Sequence, residues 1–264
     1  MALLMTDYTF VLWLLKLGTL ANLYFLVNTA TLAGDANAGV IIPAQVLFAV
    51  SAYRCLFPVR YEDNVVFHDS VFSSVFVTRL LATFSEVAYI LLMSHLLRLL
   101  NLNHVGWVTG LSWLMVLQVV ICQVLVWVAV LTGRLAFYYY EELGWGLIFA
   151  LNTLASAYLY VTADTLEMRQ RLLQLNLLFG AVYLPFQVIH VRALRSNARR
   201  HSSEDSDAGP QSSWKLLTTV IRVKNRRTDA ESWGGLVGLI WMTSYWATLI
   251  PMWVYYIVGV LAAN

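Results

Sequence analysis

The chain has 264 residues, of which 59% are hydrophobic and 12% charged, with a formal net charge of +2. Soluble globular proteins average about 45–50% apolar and 25% charged residues, so this composition excludes an ordinary soluble domain. It is typical of an integral membrane protein whose main partner is the lipid bilayer, and we expect no nucleic-acid partner.

Seven stretches of the chain are apolar and long enough to cross a bilayer, which requires about 20 mostly apolar residues. In chain order they cover about 8–28, 38–58, 71–99, 105–132, 143–163, 172–192 and 233–261. We therefore predict an all-α, polytopic (multi-pass) membrane protein in which residues 1–264 form a single seven-helix transmembrane domain. Nothing in the sequence indicates the organelle.

Basic residues are distributed unevenly over the connections between the spans. The side that holds the second, fourth and sixth connections carries 12 Lys and Arg residues, and the opposite side carries 3. Cytoplasmic loops are enriched in Lys and Arg, so we predict a cytoplasmic N-terminus and a C-terminus on the opposite face. The prediction depends on the sixth connection, because 9 of the 17 basic residues lie between Arg192 and Arg227.

The sixth connection, 193–232, is the one long loop, and we place it in the cytoplasm. Its segment 201–213 is polar and poor in apolar residues, which predicts disorder. The following segment, 214–227, alternates apolar and basic residues and is typical of an amphipathic helix that binds anionic lipid head groups. The same loop is a candidate surface for a protein partner.

The third span carries two charges, Arg79 and Glu86, on one helix face together with Thr83. Charges inside a span normally face other helices or water and find a partner. Seven residues correspond to about 10.5 Å along a helix axis. We therefore expect Arg79 and Glu86 to bond to other groups instead of each other, and Lys16 is a candidate partner for Glu86.

The sixth span carries a polar stripe, and its members follow spacings of 4, 3, 4 and 3 residues. They are Asn176, Gly180, Tyr183, Gln187 and His190. Asn152 in the fifth span and Tyr245 in the seventh add further polar groups. The candidate cavity-lining or ligand-binding residues are Arg79, Thr83, Glu86, Asn152, Asn176, Tyr183, Gln187, His190 and Tyr245. We expect the polar edges of the third and sixth spans to face each other beside the fifth and seventh.

The second and fourth connections hold four candidates for a metal site: His68, Asp69, Glu141 and Glu142. Carboxylates and imidazoles are suitable metal ligands and general acids or bases. Their spacing matches no zinc or di-iron motif, and the chain contains no phosphate-binding glycine loop, nucleophile elbow or HExxH sequence. We therefore predict no cofactor, assign no catalytic residue and leave the identity of any metal open.

Three classes of function remain. The first is a transporter, channel or sensor with a polar intramembrane cavity between helices 3, 5, 6 and 7. The second is a non-catalytic scaffold or interaction subunit of a membrane complex, which acts through the basic sixth connection while the polar stripes only pack helices together. The third is a membrane-embedded lipid-modifying enzyme with an acid/His site at the cytosolic mouth. Residues 233–264 contain no lysine, which excludes a retinal Schiff base in the last span.

Overall fold

The computed structural model describes residues 6–32, 38–61, 64–162, 167–201 and 213–262. Over these residues the protein is all-α, with seven helices long and apolar enough to span a membrane. They are Thr9–Thr31, Ala38–Leu56, Val75–Leu100, Gly106–Thr132, Leu135–Thr162, Glu167–Ser196 and Gly235–Ala262. The predicted fold class and the predicted number of long apolar helices are confirmed.

The elements follow one another in a simple order. The first span consists of α1 (Thr9–Leu15) and α2 (Leu17–Thr31). It is followed by α3 (Ala38–Leu56), β1 (Val59–Arg60), β2 (Val65–Val66), α4 (Val75–Leu100), α5 (Gly106–Thr132), α6 (Leu135–Thr162) and α7 (Glu167–His201). The last part comprises α8 (Ser213–Arg222), β3 (Asn225–Arg226), α9 (Gly235–Met242) and α10 (Leu249–Ala262).

Several boundaries differ from the predicted ones, and three of the differences affect the candidate residues or the sixth connection. Helix α6 begins at Leu135 instead of 143, so Glu141 and Glu142 lie inside a helix and not in a loop. Helix α7 continues past 192 to His201. The predicted amphipathic segment is helical only to Arg222, and the chain then enters β3. Residues 202–212, nearly all of the segment predicted to be disordered, lie outside the described residues.

The chain forms two compact units. The first comprises residues 1–88 and 212–264, and the second comprises residues 89–211. In the first unit α2 packs against α3, and both contact α10. A Cβ atom at Gly18 would lie 2.8 Å from Ala247 Cβ and 2.8 Å from Cys55 Sγ. Glycine at this position therefore permits the close approach of the helices.

A small sheet joins three separate parts of the first unit. Strand β2 pairs with β1 in an antiparallel manner and with β3 in a parallel manner. The N-terminal segment joins beside them through a bridge between Asp7 and Asp229, where Tyr8 N–H donates to Thr228 O at 2.7 Å. The N-terminus, the second connection and the end of the sixth connection thus meet at one end of the unit, as an even number of helices between them requires.

The last span is interrupted between α9 and α10. Residues Thr243–Ala247 form a π-helical turn, and the N–H and hydroxyl of Thr248 both donate to Thr243 O at 3.0 Å. Pro251 lacks an N–H and cannot bond to the carbonyl four residues earlier, which favours a break in this region. The carbonyl of Trp246 instead accepts bonds from Asn22 Nδ2 (2.9 Å) and Cys55 Sγ (3.3 Å).

In the second unit α6 packs along both α5 and α7. Helix α7 is continuous through Pro185. At Gly180, an added Cβ would collide with the side chain of Thr153 in α6. The glycine of the predicted polar stripe is therefore the point at which α7 lies closest to α6, which sets the stripe against that helix.

Candidate functional site

The polar stripe of α7 faces α6 and forms what we call the α6–α7 seam, which comprises Glu142, Asn152, Ser156, Asn176, Gln187 and His190. At one end of the seam, Gln187 Nε2 donates to both Glu142 O and Glu142 Oε2 at 2.7 Å. His190 Nε2 lies 3.5 Å from Glu142 Oε1. Glu142 is only 8% exposed, so the seam holds a buried carboxylate between an amide and an imidazole.

Amide groups occupy the other part of the seam. Asn176 Nδ2 donates to Ser156 Oγ at 3.1 Å. Asn152 is 1% exposed, and neither its Oδ1 nor its Nδ2 has a hydrogen-bond partner among the described residues. Aromatic packing separates the two parts, because Tyr183 lies 4.5 Å from Phe149 between ring centroids.

The unmet groups of the seam are mainly hydrogen-bond acceptors. Within the described part of the chain, Asn152 Oδ1, Asn176 Oδ1 and Gln187 Oε1 are buried without a donor. Leaving such a group unsatisfied costs about 1–3 kcal/mol. Buried polar groups are normally bonded to protein or water. The seam is thus suited to hold water or a solute that offers hydrogen-bond donors.

Glu141 lies beside the seam and is also buried, at 6% exposure. Its Oε1 accepts a bond from Trp145 Nε1 at 3.4 Å, and its backbone carbonyl accepts one from Cys122 Sγ at 3.5 Å. The expectation of a loop position for Glu141 and Glu142 is wrong. Helix α6 includes YYYEE, where Glu141 bonds within the helix to Trp145 and Glu142 bonds across to α7.

In the first unit, Arg79 and Glu86 bond directly to each other. Arg79 Nη2 lies 2.5 Å from Glu86 Oε2, and both residues are 2% exposed. The expectation of separate partners is wrong, because extended side chains span the two helical turns between them. Thr83 Oγ1 donates to Arg79 O at 3.0 Å, and Lys16 Nζ lies 3.8 Å from the centroid of Trp13.

A second buried arginine, Arg54, lies near the end of the second predicted span and was not among the candidate residues. It is 3% exposed in the last turn of α3, and its Nη2 donates to Val59 O at 3.0 Å. Its Cζ lies 4.9 Å from the Tyr61 ring centroid and 5.0 Å from that of Trp246. Its Nε and Nη1 have no hydrogen-bond partner in the described part of the chain. The sequence feature that could have indicated this buried arginine is its position at the edge of an apolar run.

The remaining candidates of the first unit are Tyr245, His68 and Asp69. Tyr245 contacts Trp246, with 4.4 Å between ring centroids. Asp69 Oδ1 lies 3.2 Å from Lys224 Nζ. His68 lies against Phe67, and burial, followed by the charges of Lys16 and Arg226, lowers the pKa of its imidazole. These contacts favour a neutral imidazole for His68, packed on an aromatic surface.

The candidate residues predicted from the sequence are therefore divided between the units. Arg79, Thr83, Glu86, His68, Asp69 and Tyr245 belong to the first unit, and Asn152, Asn176, Tyr183, Gln187, His190, Glu141 and Glu142 belong to the second. Within the described ranges, no group of three or more His, Cys, Asp or Glu side chains is placed to hold a metal ion. The facing of the third and sixth spans stays a prediction.

Comparison with known proteins adds no relative. No protein-family model matches the chain, and no curated protein or solved structure matches it either.

Proposed function

We propose that this multi-pass membrane protein is a transporter, channel or sensor that takes up a proton or another small cation at the α6–α7 seam. The observation that carries the proposal is the set of buried acceptors without donors: Asn152 Oδ1 and Asn176 Oδ1 in one part of the seam, and Gln187 Oε1 beside the carboxylate of Glu142 in the other. Ionisable groups within a span are costly and commonly mark ion pathways or proton relays.

The chemistry of the seam favours a cation over an anion. Its unmet oxygens belong to Asn152, Asn176 and Gln187, and the nearby carboxylates of Glu141 and Glu142 add negative charge. His190, 3.5 Å from Glu142, can share a proton with that carboxylate. Oxygen ligands of this kind bind protons or small hard cations.

The orientation belongs to the same proposal. We place the end that carries β1–β3 on the cytoplasmic side, because it holds the basic residues that favour that side. The joining of the N-terminus, β2 and β3 in one sheet supports placing all three on one side. The C-terminus then lies on the opposite side of the membrane.

Water accessibility tests the proposal. Asn152→Cys, in a background with Cys55 and Cys122 replaced by alanine, is expected to react with a membrane-impermeant methanethiosulfonate reagent. Ala129→Cys, a fully buried position of α5, is the matched control and is expected to stay unmodified. Equal protection of both positions would mean that the seam only packs helices together, and it would overturn the proposal.

Ion flux separates transport from sensing. Purified protein in liposomes with an internal pH dye or a cation dye is expected to show flux that Glu142→Gln lowers by roughly tenfold or more, as losing one charge-assisted bond would. Glu167→Gln, at a carboxylate whose side chain is 80% exposed, is expected to leave the flux unchanged. A protein without flux whose thermal stability still responds to cations through Glu142 would be a sensor.

A second candidate is the interaction subunit, and one observation favours it. Arg222, Arg226 and Arg227 are exposed, while Val220 is buried and its carbonyl accepts a bond from Ser74 Oγ at 3.5 Å. The basic segment is therefore held against the first unit with its charges outward. This arrangement suits anionic lipid head groups or an acidic partner protein. The lipid-modifying enzyme remains the third alternative, and of its predicted acid and His residues Glu142 and His190 lie together in the α6–α7 seam.

A further inference from the structure

Arg54 carries a charge that the described residues around it do not neutralise. Its one hydrogen bond to the described part of the chain goes to a neutral acceptor, Val59 O, and its other close neighbours are the rings of Tyr61 and Trp246. At 3% exposure it is also removed from bulk water. A buried charge normally requires both a counter-charge and hydrogen bonds.

We infer that Arg54, Trp246 and Ser51 form a binding site in the first unit for the phosphate group of an anionic ligand. The site is separate from the α6–α7 seam, and the inference does not depend on the function proposed for that seam.

Four polar atoms of Arg54, Trp246 and Ser51 can donate hydrogen bonds. They are Arg54 Nε, Arg54 Nη1, Trp246 Nε1 and Ser51 Oγ, each buried without a partner in the ranges that the structure describes. Ser51 precedes Arg54 by three residues and therefore lies on the same face of α3. A set of donors without acceptors is complementary to an oxyanion. The planar guanidinium matches the oxygens of phosphate particularly well.

The neighbouring charges agree with an anionic ligand. Arg79 Cζ lies 5.3 Å from the Tyr61 ring centroid, so the two guanidinium groups approach the same ring. Glu86 is the counter-charge of Arg79 through their direct salt bridge. The pair is neutral as a whole, and the charge of Arg54 remains to be matched.

The position of Arg54 along its helix indicates the source of the phosphate. Arg54 lies two residues before the end of α3, which is about 3 Å along the helix axis. Leu56 in the same helix turn is 39% exposed, and Val71 and Phe72 are 75% and 60% exposed, with the Phe72 ring centroid 5.5 Å from that of Phe57. Apolar surface next to a span end suits the boundary between acyl chains and head groups, where the phosphates of lipids lie. The probes are therefore a lipid phosphate and free phosphate.

Binding to the purified full-length protein tests the inference. The protein is reconstituted in nanodiscs of phosphatidylcholine alone, and its thermal midpoint is followed while short-chain phosphatidic acid or inorganic phosphate is added. Short-chain phosphatidylcholine is the neutral comparison. We expect phosphatidic acid to raise the midpoint, and Arg54→Met to weaken this binding by roughly tenfold or more. Arg134→Gln, at an exposed arginine outside the basic segment, is the control and is expected to keep the ligand-dependent rise.

The sign of the effect without ligand separates a binding site from a structural arginine. If Arg54 awaits an anion, Arg54→Met has an equal or higher midpoint than the wild type in neutral nanodiscs and loses the ligand-dependent rise. A rise with inorganic phosphate as well as phosphatidic acid supports a free phosphate as the ligand, and a rise with phosphatidic acid alone supports a lipid head group. The inference is overturned if neither probe raises the midpoint, or if Arg54→Met retains the full rise.

Discussion

The two units bury polar groups in opposite ways. The first unit contains the Arg79–Glu86 ion pair and places Arg54 among aromatic rings, and the unmet atoms around Arg54 are donors. The second unit lines the α6–α7 seam with amides and carboxylates, and most of the unmet atoms there are acceptors. Unmet donors favour an anion and unmet acceptors favour a cation, so the two units offer sites of opposite charge preference.

The largest effect should come from breaking the ion pair of the first unit. Glu86→Gln removes the carboxylate that forms the buried ion pair with Arg79, and removing one partner of a buried pair costs about 3–5 kcal/mol. The free energy of unfolding, from SDS titration of the purified protein, measures this loss.

Two variants check that the loss of stability in Glu86→Gln comes from the broken ion pair. The double variant Arg79→Met with Glu86→Leu is expected to recover most of the lost stability. Glu167→Gln, in the exposed pair with Arg171, is expected to change the free energy of unfolding by less than about 1 kcal/mol. A double variant as unstable as Glu86→Gln would contradict the interpretation.

A smaller effect is expected from removing a hydrogen bond to the backbone of the interrupted last span. Asn22→Ala removes the donor to Trp246 O at 2.9 Å and to Gly18 O at 2.7 Å. The buried carbonyl of Trp246 then keeps only the weak donor Cys55 Sγ, and we expect a loss of about 1–3 kcal/mol of unfolding free energy. Asn28→Ala, in the same helix, removes a solvent-exposed bond to Tyr24 and is expected to be close to neutral, and an equal loss in both variants would contradict the role of Asn22.

The corresponding change in the second unit should cost less. Gln187→Ala removes two bonds to Glu142, and interhelical bonds in membranes average about 0.6 kcal/mol each. We expect a loss of about 1–2 kcal/mol in unfolding free energy, measured in the same titration. Gln174→Ala, at an exposed position of α7, is the control. A loss as large as that of Glu86→Gln would remove the energetic difference between the units.

The smallest effect is a pH dependence in the first unit. Burial lowers the pKa of His68, so below the ordinary histidine pKa of about 6.5 the unfolded chain binds a proton that the folded chain does not. Stability should therefore fall as pH decreases from about 7 and level off below the lowered pKa. His68→Asn should reduce the dependence of the thermal midpoint on pH over this range. His104→Asn, at an exposed histidine, should leave that dependence unchanged.

Local patterns predicted the faces of the helices better than the partners on those faces. The 4-3-4-3 spacing on α7 placed Asn176, Gln187 and His190 on one stripe, and the structure finds them along α6. The spacing of Arg79 and Glu86 predicted that they share a helix face. Their distance along the helix axis wrongly predicted that they do not touch, because contact depends on side-chain conformation. Arg54 was not predicted as a buried residue, because a charged residue at the end of a span is usually exposed to solvent. The rings that cover it come from Tyr61 and from Trp246, which is nearly 200 residues away in the chain.

The sequence by itself determined the class of protein and its seven long helices, because the length of an apolar run is a local property that bilayer thickness converts directly into a helix. Tertiary structure alone decided that the N-terminus and two distant connections meet at one end of the first unit, that the last span breaks at a π turn, and which buried donors and acceptors remain unmet. These features depend on contacts between residues far apart in the chain, and no local periodicity encodes such contacts.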